Sequence, residues 1–221
     1  MLILNSVKVQ IKGLTILRGI SLEVPSGELI CLVGRNGAGK TTTLKSVVGI
    51  IPVSEGTIEL DGNDITKLPG HRRAQFGIGY MPEDRRLIGS LTVEENILLP
   101  GWATGLDKCR DQLGYIYDLM PDVQLLAKQK ALQLSGGQQK MVTLARAIMT
   151  GSKVLILDEP FEGLSPGMGD KIGKTIQKLM NGQFSLLLVQ PDTKRIRFAK
   201  KIYTIERGEI IDEGERCASM P

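Results

Sequence analysis

One segment of the sequence has the composition and spacing of a phosphate-binding loop. Residues 34–41, Gly-Arg-Asn-Gly-Ala-Gly-Lys-Thr, match the pattern G-x-x-x-x-G-K-[ST] and lie between an apolar run at 29–33 and a helical pattern at 42–48. Glycines let the backbone curl so that successive N–H groups face one phosphate, and the positive end of the following helix adds to the attraction. We therefore predict a bound nucleotide, with Lys40 at its β- and γ-phosphates and the Thr41 hydroxyl on Mg²⁺.

Two neighbouring acids end an apolar run further along the chain. Asp158 and Glu159 follow the run Val-Leu-Ile-Leu at 154–157, and a parallel strand buried on both faces has no use for carboxylates unless a ligand lies at its end. We expect Asp158 to hold Mg²⁺, directly or through water, and Glu159 to act as general base toward the attacking water. Such an acid pair is also a common helix cap, and the phosphate loop in the same chain favours the metal and base roles.

A second candidate anion site lies at residues 134–138, Leu-Ser-Gly-Gly-Gln, which we term the signature segment. It precedes a helical pattern at 139–149, and a serine with two glycines at a helix N-terminus offers backbone N–H groups and a hydroxyl to an anion. A small-molecule kinase with a phosphate loop has no purpose for this segment. The signature segment therefore argues against a small-molecule kinase as the class of nucleotide-binding protein.

In this order and spacing, residues 34–41, 134–138 and 154–159 resemble the ATPase subunits of ABC transporters, over essentially the whole chain. The resemblance implies an α/β fold with a P-loop NTPase core, an N-terminal antiparallel β subdomain and an inserted helical subdomain. It also implies ATP and Mg²⁺ as cofactors and hydrolysis of ATP to ADP and phosphate. In that family the signature segment of one subunit closes over the γ-phosphate held by another. One copy of each motif therefore implies a head-to-tail dimer with two shared sites.

The resemblance carries site residues over to matching positions of this chain. The catalytic group is Lys40, Glu83, Glu159 and Gln190, and the metal group is Thr41, Glu83 and Asp158. The nucleotide-contacting group comprises Ile11, Gly34, Arg35, Asn36, Gly37, Ala38, Gly39, Lys40, Thr41, Thr42, Ser135, Gly136, Gly137 and Gln138.

A narrower resemblance rests on residues 79–86, 91–96 and 159–166, which begin Gly-Tyr-Met-Pro, Leu-Thr-Val-Glu and Glu-Pro-Phe-Glu. These segments look like the ATPase subunits of importers for branched-chain amino acids and of the related urea and amide importers. The resemblance implies transmembrane permease subunits, a second ATPase subunit that is either identical or different, and indirectly a solute-binding protein. It places the chain at the cytoplasmic face of the membrane as a peripheral protein.

Four positions depart from the pattern of the family. Ser165 ends the loop after Glu159 where many relatives have an aspartate, and this loop bears on communication between the two sites. Glu83 stands where many ABC ATPases have a glutamine that meets Mg²⁺ and the attacking water. Ile11 replaces the aromatic residue that stacks on adenine, an interaction worth about 1–3 kcal/mol by analogy with base–aromatic platforms. Pro191 occupies the switch position, where a histidine or, in the narrower group, a glutamine donates a hydrogen bond to the γ-phosphate. Proline offers no such donor.

The switch position leaves two alternatives open. Either hydrolysis is slowed, and in the extreme the chain is an ATP-dependent dimerising clamp with little hydrolysis, or the missing contact is compensated by the partner subunit or by Gln190. Successive strand residues point to opposite faces, so this compensation requires the strand to end or kink before Gln190. Proline biases its predecessor toward an extended conformation, which favours the deficit over the compensation.

The elements that position these residues follow from the hydrophobic pattern, in which short apolar runs alternate with helical ones as in α/β proteins. A capping box at residues 92–95, Thr-Val-Glu-Glu, predicts the start of a helix. No strand signal follows until about residue 133, so we predict a helical subdomain over residues 92–133. This subdomain is inserted in a single domain of residues 1–221. Pro166 begins another helix and Gly182 ends it. Strands are predicted near residues 17–24, 28–33, 57–60, 78–81, 154–157, 184–190 and 202–205.

Length and composition exclude several other classes. The 221 residues contain no apolar stretch of about 18 residues that would span a bilayer, and Met1 is not followed by a secretory signal. Three scattered cysteines predict reduced thiols rather than a disulfide framework. The net charge of +4 is modest and the basic clusters lack interleaved aromatics, so we expect no nucleic-acid partner. ABC ATPases acting on ribosomes or DNA fuse two halves or insert coiled coils, for which this length leaves no room.

Overall fold

The computed structural model describes residues 1–182, 184–193 and 199–215. Its strands are β1 (Leu2–Ile11), β2 (Leu14–Val24), β3 (Leu29–Val33), β4 (Glu55–Leu60), β5 (Asn63–Asp64), β6 (Ile78–Met81), β7 (Val154–Asp158), β8 (Ser185–Gln190), β9 (Lys201–Glu206) and β10 (Glu209–Glu215). Its helices are α1 (Lys40–Val47), α2 (Gly70–Gln75), α3 (Val93–Thr104), α4 (Cys109–Leu119), α5 (Pro121–Leu125), α6 (Gly136–Thr150) and α7 (Pro166–Asn181), with a 3-10 turn at Ala131–Gln133.

The strands form two sheets, and the larger one carries the sequence motifs. This central sheet has the order β10-β9-β3-β8-β7-β6, with β10 as its antiparallel edge and the other strands parallel. Every residue of β3, β7 and β8 is buried, which explains why these strands read as continuous apolar runs. Val33 pairs with Gln190 and Asp158 with Val189. The phosphate loop and the acid pair therefore lie at the same end of the sheet, where the parallel strands have their carboxyl ends.

The central sheet separates two hydrophobic cores. One face, which includes Leu32 and Leu187, packs against α1 and the four-stranded antiparallel sheet of order β2-β1-β4-β5. The opposite face, which includes Leu157 and Leu188, packs against apolar side chains of α3, α4, α6 and α7. The helix that follows the phosphate loop and the helix that follows the signature segment therefore lie on opposite sides of one sheet.

Residues 92–133 are helical, as the sequence predicts. Thr92 Oγ1 accepts from Glu95 N at 3.2 Å and Thr92 N donates to Glu95 Oε2 at 2.8 Å, which forms the predicted capping box of α3. Helices α3, α4 and α5 and the 3-10 turn follow, and within 92–133 the only β pairing is an isolated bridge between Thr92 and Lys130. Helix α3 packs against α6, while the standing of 92–133 as a subdomain stays a prediction.

The seven predicted strands are confirmed within a few residues of their ends, and three further strands were missed. Strand β1 escapes the period-two pattern because register shifts interrupt its pairing with β2 and because Ser6 has a φ of 46°. Helix α7 begins at Pro166 and its C-cap is Gly182, as predicted.

Among the described residues no helix has the length and hydropathy needed to cross a membrane. Cys31 and Cys109 are buried, and Cys217 lies outside the described residues.

Candidate nucleotide-binding and catalytic site

A cleft of about 370 Å³ opens at the edge of the central sheet where β3 and β7 end. We call it the phosphate cleft. Eight of the residues that line it are among those assigned to the site from the sequence, while Ile16 and Glu162 were missed. The lining residues are Ile16, Asn36, Gly37, Gly39, Lys40, Thr41, Thr42, Glu83, Glu159 and Glu162.

The phosphate loop depends on glycine at positions where another side chain would not fit. Gly39 has a φ of 115° and directly precedes α1, and a Cβ atom at Gly34 would lie 2.3 Å from the carbonyl oxygen of Ile205. Helix α1 begins at Lys40 without a side-chain cap. Because the first N–H groups of a helix have no intrahelical acceptor, they are available to an anion at the mouth of the loop.

Lys40 joins the phosphate loop to the acid at the end of β7. Its side chain is 5% exposed, and Nζ donates to the carbonyl oxygens of Gly34 at 2.8 Å and Arg35 at 3.3 Å. The same Nζ lies 3.4 Å from Glu159 Oε1. Among the described residues that line the phosphate cleft it is the only basic side chain. Its predicted place at the β- and γ-phosphates stays a prediction.

Thr41 in the first turn of α1 and Asp158 at the end of β7 bring two hard oxygen donors together. Thr41 Oγ1 donates to Asp158 Oδ1 at 3.3 Å, and Tyr80 OH donates to Asp158 Oδ2 at 3.5 Å. Burial, reinforced by the charge of Glu83, raises the pKa of Asp158 to about 6, although both hydrogen bonds oppose the shift. A hydroxyl beside a buried carboxylate is a set of oxygen ligands that suits Mg²⁺. A bound cation would also stabilise the ionised form of the Asp158 carboxylate.

Glu159 has the environment of a general base. Its φ is 47°, its backbone N–H donates to Val189 O at 3.0 Å, and the residue is 6% exposed. Burial and, after it, hydrogen bonding to Glu162 raise the pKa of Glu159 to about 7, and the charge of Lys40 opposes this shift. A pKa near neutrality matches the need of a base to accept a proton and to be ionised beforehand.

Glu83 is an exposed member of a carboxylate cluster in the same cleft. Carboxylate oxygens of Glu83, Glu159 and Glu162 all lie within 4.8 Å of one another. The structure therefore groups Glu83 with the candidate base more closely than the sequence indicates, and its predicted roles at Mg²⁺ and water stay predictions.

The signature segment lies outside the phosphate cleft of its own chain. Ser135 Oγ accepts from Gln138 N at 3.3 Å and Ser135 N donates to Gln138 Oε1 at 2.8 Å, so the segment forms a capping box that opens α6. Ser135 and Gly136 are exposed to solvent. The N-terminus of α6 thus faces outward, where a second molecule can reach it.

Comparison with known proteins identifies the family. The sequence profile described as ABC transporter matches residues 17–162, which is more than half of the chain. The chain belongs to the ABC transporter family. It is 34% identical to the high-affinity branched-chain amino acid transport ATP-binding protein BraG of Pseudomonas aeruginosa over 93% of this chain and 89% of that protein. It is also 34% identical to the lipopolysaccharide export system ATP-binding protein LptB of Escherichia coli, over 92% of this chain and 86% of that protein.

Solved structures agree with this ABC assignment. A dimeric bacterial ABC transporter cassette is 25% identical and has a TM-score of 0.87, covering 97% of this chain and 98% of that one. The same TM-score, identity and coverage relate this chain to a dimeric cassette in a post-hydrolysis state bound to ADP and Pi. The predicted fold class is confirmed, and the clamp alternative with little hydrolysis gains no support from these relatives.

Besides the signature segment, Ile11 and Gln190 are two residues assigned to the site of this ABC subunit that are not among the lining residues of the phosphate cleft. Ile11 ends β1, is 38% exposed and is not among the lining residues, whereas Ile16 on β2 is. Ile16 is half-buried and packs against the core that contains the fully buried Leu17, while it also lines the phosphate cleft. No local sequence pattern marks Ile16, because the burial pattern of β2 does not alternate strictly between Leu17 and Ile20.

Gln190 is the second assigned residue that does not line the phosphate cleft, and it is the last residue of strand β8. Strand β8 runs through Gln190, so the condition for compensation at the switch position, a strand that ends or kinks earlier, is not met. Gln190 is 7% exposed, and its Nε2 has no hydrogen-bond partner among the described residues. Pro191 follows as an exposed residue outside the strand. The catalytic role of Gln190 stays a prediction.

Proposed function

We propose that this ABC ATP-binding subunit hydrolyses Mg-ATP with Glu159 as general base. The observation that carries the proposal is the 3.4 Å contact between Lys40 Nζ and Glu159 Oε1, because the carboxylate that we assign as base lies directly beside the cation of the phosphate loop. Steady-state release of phosphate from ATP by the purified protein tests it. We expect release that depends on Mg²⁺ and stops on chelation, and the absence of release with excess Mg²⁺ would contradict the proposal.

Lys40, Thr41, Asp158 and Glu159 have distinct roles in the proposed reaction. Lys40 and the N–H groups at the start of α1 bind and orient the phosphates, which are the groups on which charge develops. Thr41 and Asp158 are the residues that would hold Mg²⁺, and the ion when bound neutralises phosphate charge. Glu159 accepts the proton of the attacking water, and the buried position of its carboxylate keeps the base close to neutral pKa.

The dependence of hydrolysis on pH follows from this base. Only ionised Glu159 accepts a proton, and its pKa is raised to about 7, so kcat/KM is expected to fall as the pH falls through about 7. Glu162→Gln removes the hydrogen-bonding and charged partner that raises this pKa, and the midpoint should move to lower pH. A profile with the same midpoint in both proteins would show that Glu159 is not the titrating base.

The proposed enzyme is a head-to-tail dimer. The signature segment lies outside its own cleft and faces solvent, and dimeric cassettes are among the similar structures. In the proposed dimer the N-terminus of α6 from each subunit closes over the nucleotide in the cleft of the other. Its partners are a second ATPase subunit, identical or different, and transmembrane permease subunits that bring it to the cytoplasmic face of the membrane.

We infer uptake of a branched-chain amino acid or a related small solute as the transport task. Support comes from BraG and from the probable branched-chain amino acid transport ATP-binding protein LivF of Archaeoglobus fulgidus, which is 33% identical over 92% of this chain and 87% of that protein. LptB is equally similar and serves an export system, so overall identity does not separate the two tasks. Uptake of labelled leucine before and after deletion of the gene tests the inference. Unchanged uptake, together with a defect in an exported lipid, would contradict it.

The switch position offers a test by gain of function. Because Pro191 offers no donor and β8 holds Gln190 in the strand, we expect Pro191→His to raise ATP turnover by about tenfold or more, since a hydrogen bond to a charged group is worth about 1.5–3 kcal/mol. Steady-state ATPase assays in the presence of the partner subunits measure this change.

The control for the switch position is Gln190→Leu, which keeps the approximate size of the side chain and removes the buried amide, whose Nε2 has no hydrogen-bond partner among the described residues. Turnover should be unchanged in this variant. No gain from histidine combined with a large loss in Gln190→Leu would show that Gln190 supplies the missing contact.

A further inference from the structure

Lys140 is a buried lysine that the phosphate cleft does not use. It lies in the second turn of α6, five residues after the exposed Ser135, and only 2% of its surface is accessible. A buried ammonium group is costly unless its donors are satisfied. Nζ of Lys140 donates to the carbonyl oxygen of Glu159 at 2.5 Å and to that of Glu162 at 2.8 Å.

These two acceptors are the ends of the turn that carries the candidate base. Glu162 N donates to Glu159 O at 3.2 Å, so the turn closes on itself and Lys140 joins its first and last carbonyl groups. Glu159 has a φ of 47°, a conformation that costs a residue with a Cβ atom on the order of 1 kcal/mol or more and persists only where its surroundings hold it. Lys140 is one of the groups that hold it.

Helix α6 connects this turn to the signature segment of the same chain. Ser135 and Lys140 lie five residues apart, which corresponds to about 7.5 Å along a helix. A helix transmits a displacement of its first turn to its second turn because both belong to one hydrogen-bonded rod. The side chain of Lys140 is thus a direct link between the helix that begins at the exposed signature segment and the carbonyl group of Glu159.

We propose that Lys140 is a positioning residue that couples the two nucleotide sites of the dimer. Nucleotide held in the cleft of one subunit contacts the N-terminus of α6 of the other, and Lys140 of that second subunit then fixes the backbone of its own Glu159. The inference rests on the proposed function, because it requires the head-to-tail dimer and the role of Glu159 as base. It adds a route by which occupancy of one site sets the geometry of the other.

The test compares Lys140→Met, Lys140→Arg and Thr143→Val. Methionine keeps the length of the side chain and removes the donors, whereas arginine keeps donors and charge. Thr143→Val alters a buried polar residue one turn further along α6, which donates to Gln139 O at 2.8 Å within the helix and to Arg85 O at 3.4 Å but not to the turn of Glu159. Steady-state hydrolysis gives kcat, KM and the Hill coefficient for ATP, and thermal unfolding reports stability.

We expect wild-type hydrolysis to be cooperative, with a Hill coefficient clearly above 1 and at most about 2 for two coupled sites. Lys140→Met should lower kcat by about 10–100-fold, because small displacements of a catalytic group cost rates of this order, and should bring the Hill coefficient to about 1 with little change in KM. Lys140→Arg should retain most of the rate and the cooperativity, and Thr143→Val should retain both.

The outcomes separate this inference from the proposed function. A wild-type protein that hydrolyses ATP with a Hill coefficient of about 1 overturns the coupling and leaves the proposed function intact. A Lys140→Met variant that loses stability and rate but keeps its cooperativity shows a structural lysine and also overturns the coupling. A wild-type protein without hydrolysis overturns the proposed function and the inference together.

Discussion

Replacing Lys40 by alanine is expected to abolish tight binding of Mg-ATP. Lys40 is the only basic side chain among the described residues that line the phosphate cleft, and three glutamates line it as well. Its loss leaves a triphosphate facing carboxylates and neutral dipoles. A charge pair at about 4 Å near a protein surface is worth about 4 kcal/mol before compensation, so we expect affinity to fall by at least about 100-fold.

Titration calorimetry with Mg-ATP measures this loss directly. Lys45→Ala is the matched control, because Lys45 lies in the last turn of the same helix and is not among the described lining residues of the cleft. The control should keep wild-type affinity to within a few-fold. Wild-type affinity in Lys40→Ala would refute the assignment of residues 34–41 as the phosphate loop.

The second large effect concerns Glu159→Gln. Glutamine keeps the shape of the side chain and its oxygen beside Lys40 but cannot accept the proton of the attacking water. Removal of a general base costs typically about 10²–10⁴-fold, and we expect hydrolysis to fall by this factor while ATP still binds. Glu162→Gln, which alters a carboxylate in the same cleft, should retain turnover at alkaline pH. If Glu159→Gln and Glu162→Gln lowered the rate of hydrolysis by similar factors, the assignment of Glu159 as the general base would be wrong.

The parts of the fold that the sequence predicts well are those with one dominant physical signal. Strands β3, β7 and β8 are buried on both faces, so they read as unbroken apolar runs, and the capping box of α3 follows from a four-residue pattern. The phosphate loop is predicted because glycine spacing, lysine and flanking elements all agree. Strand β1 fails because its bulges break the alternation on which strand prediction depends.

The parts of the site that the sequence misses are set by tertiary contacts. Glu162 enters the cleft because the turn after Glu159 folds back upon itself, which no local pattern shows. Lys140 lies in a helix where a lone lysine reads as a solvated residue, and its partners are backbone carbonyl groups 19 and 22 residues away. Hydrogen bonds from side chains to distant backbone leave no periodicity in the sequence.

The central claim is that Glu159 is the general base of a nucleotide site shared by two subunits. Its most direct test measures the bound nucleotide and the molecular mass of the Glu159→Gln protein in Mg-ATP. Because the variant binds ATP without cleaving it, the proposed arrangement predicts a dimer with two intact ATP molecules, measured by light scattering during gel filtration and by analysis of the bound nucleotide. The same protein without nucleotide should be monomeric. A variant that stays monomeric in Mg-ATP and still releases phosphate at the wild-type rate would contradict both the base and the shared sites.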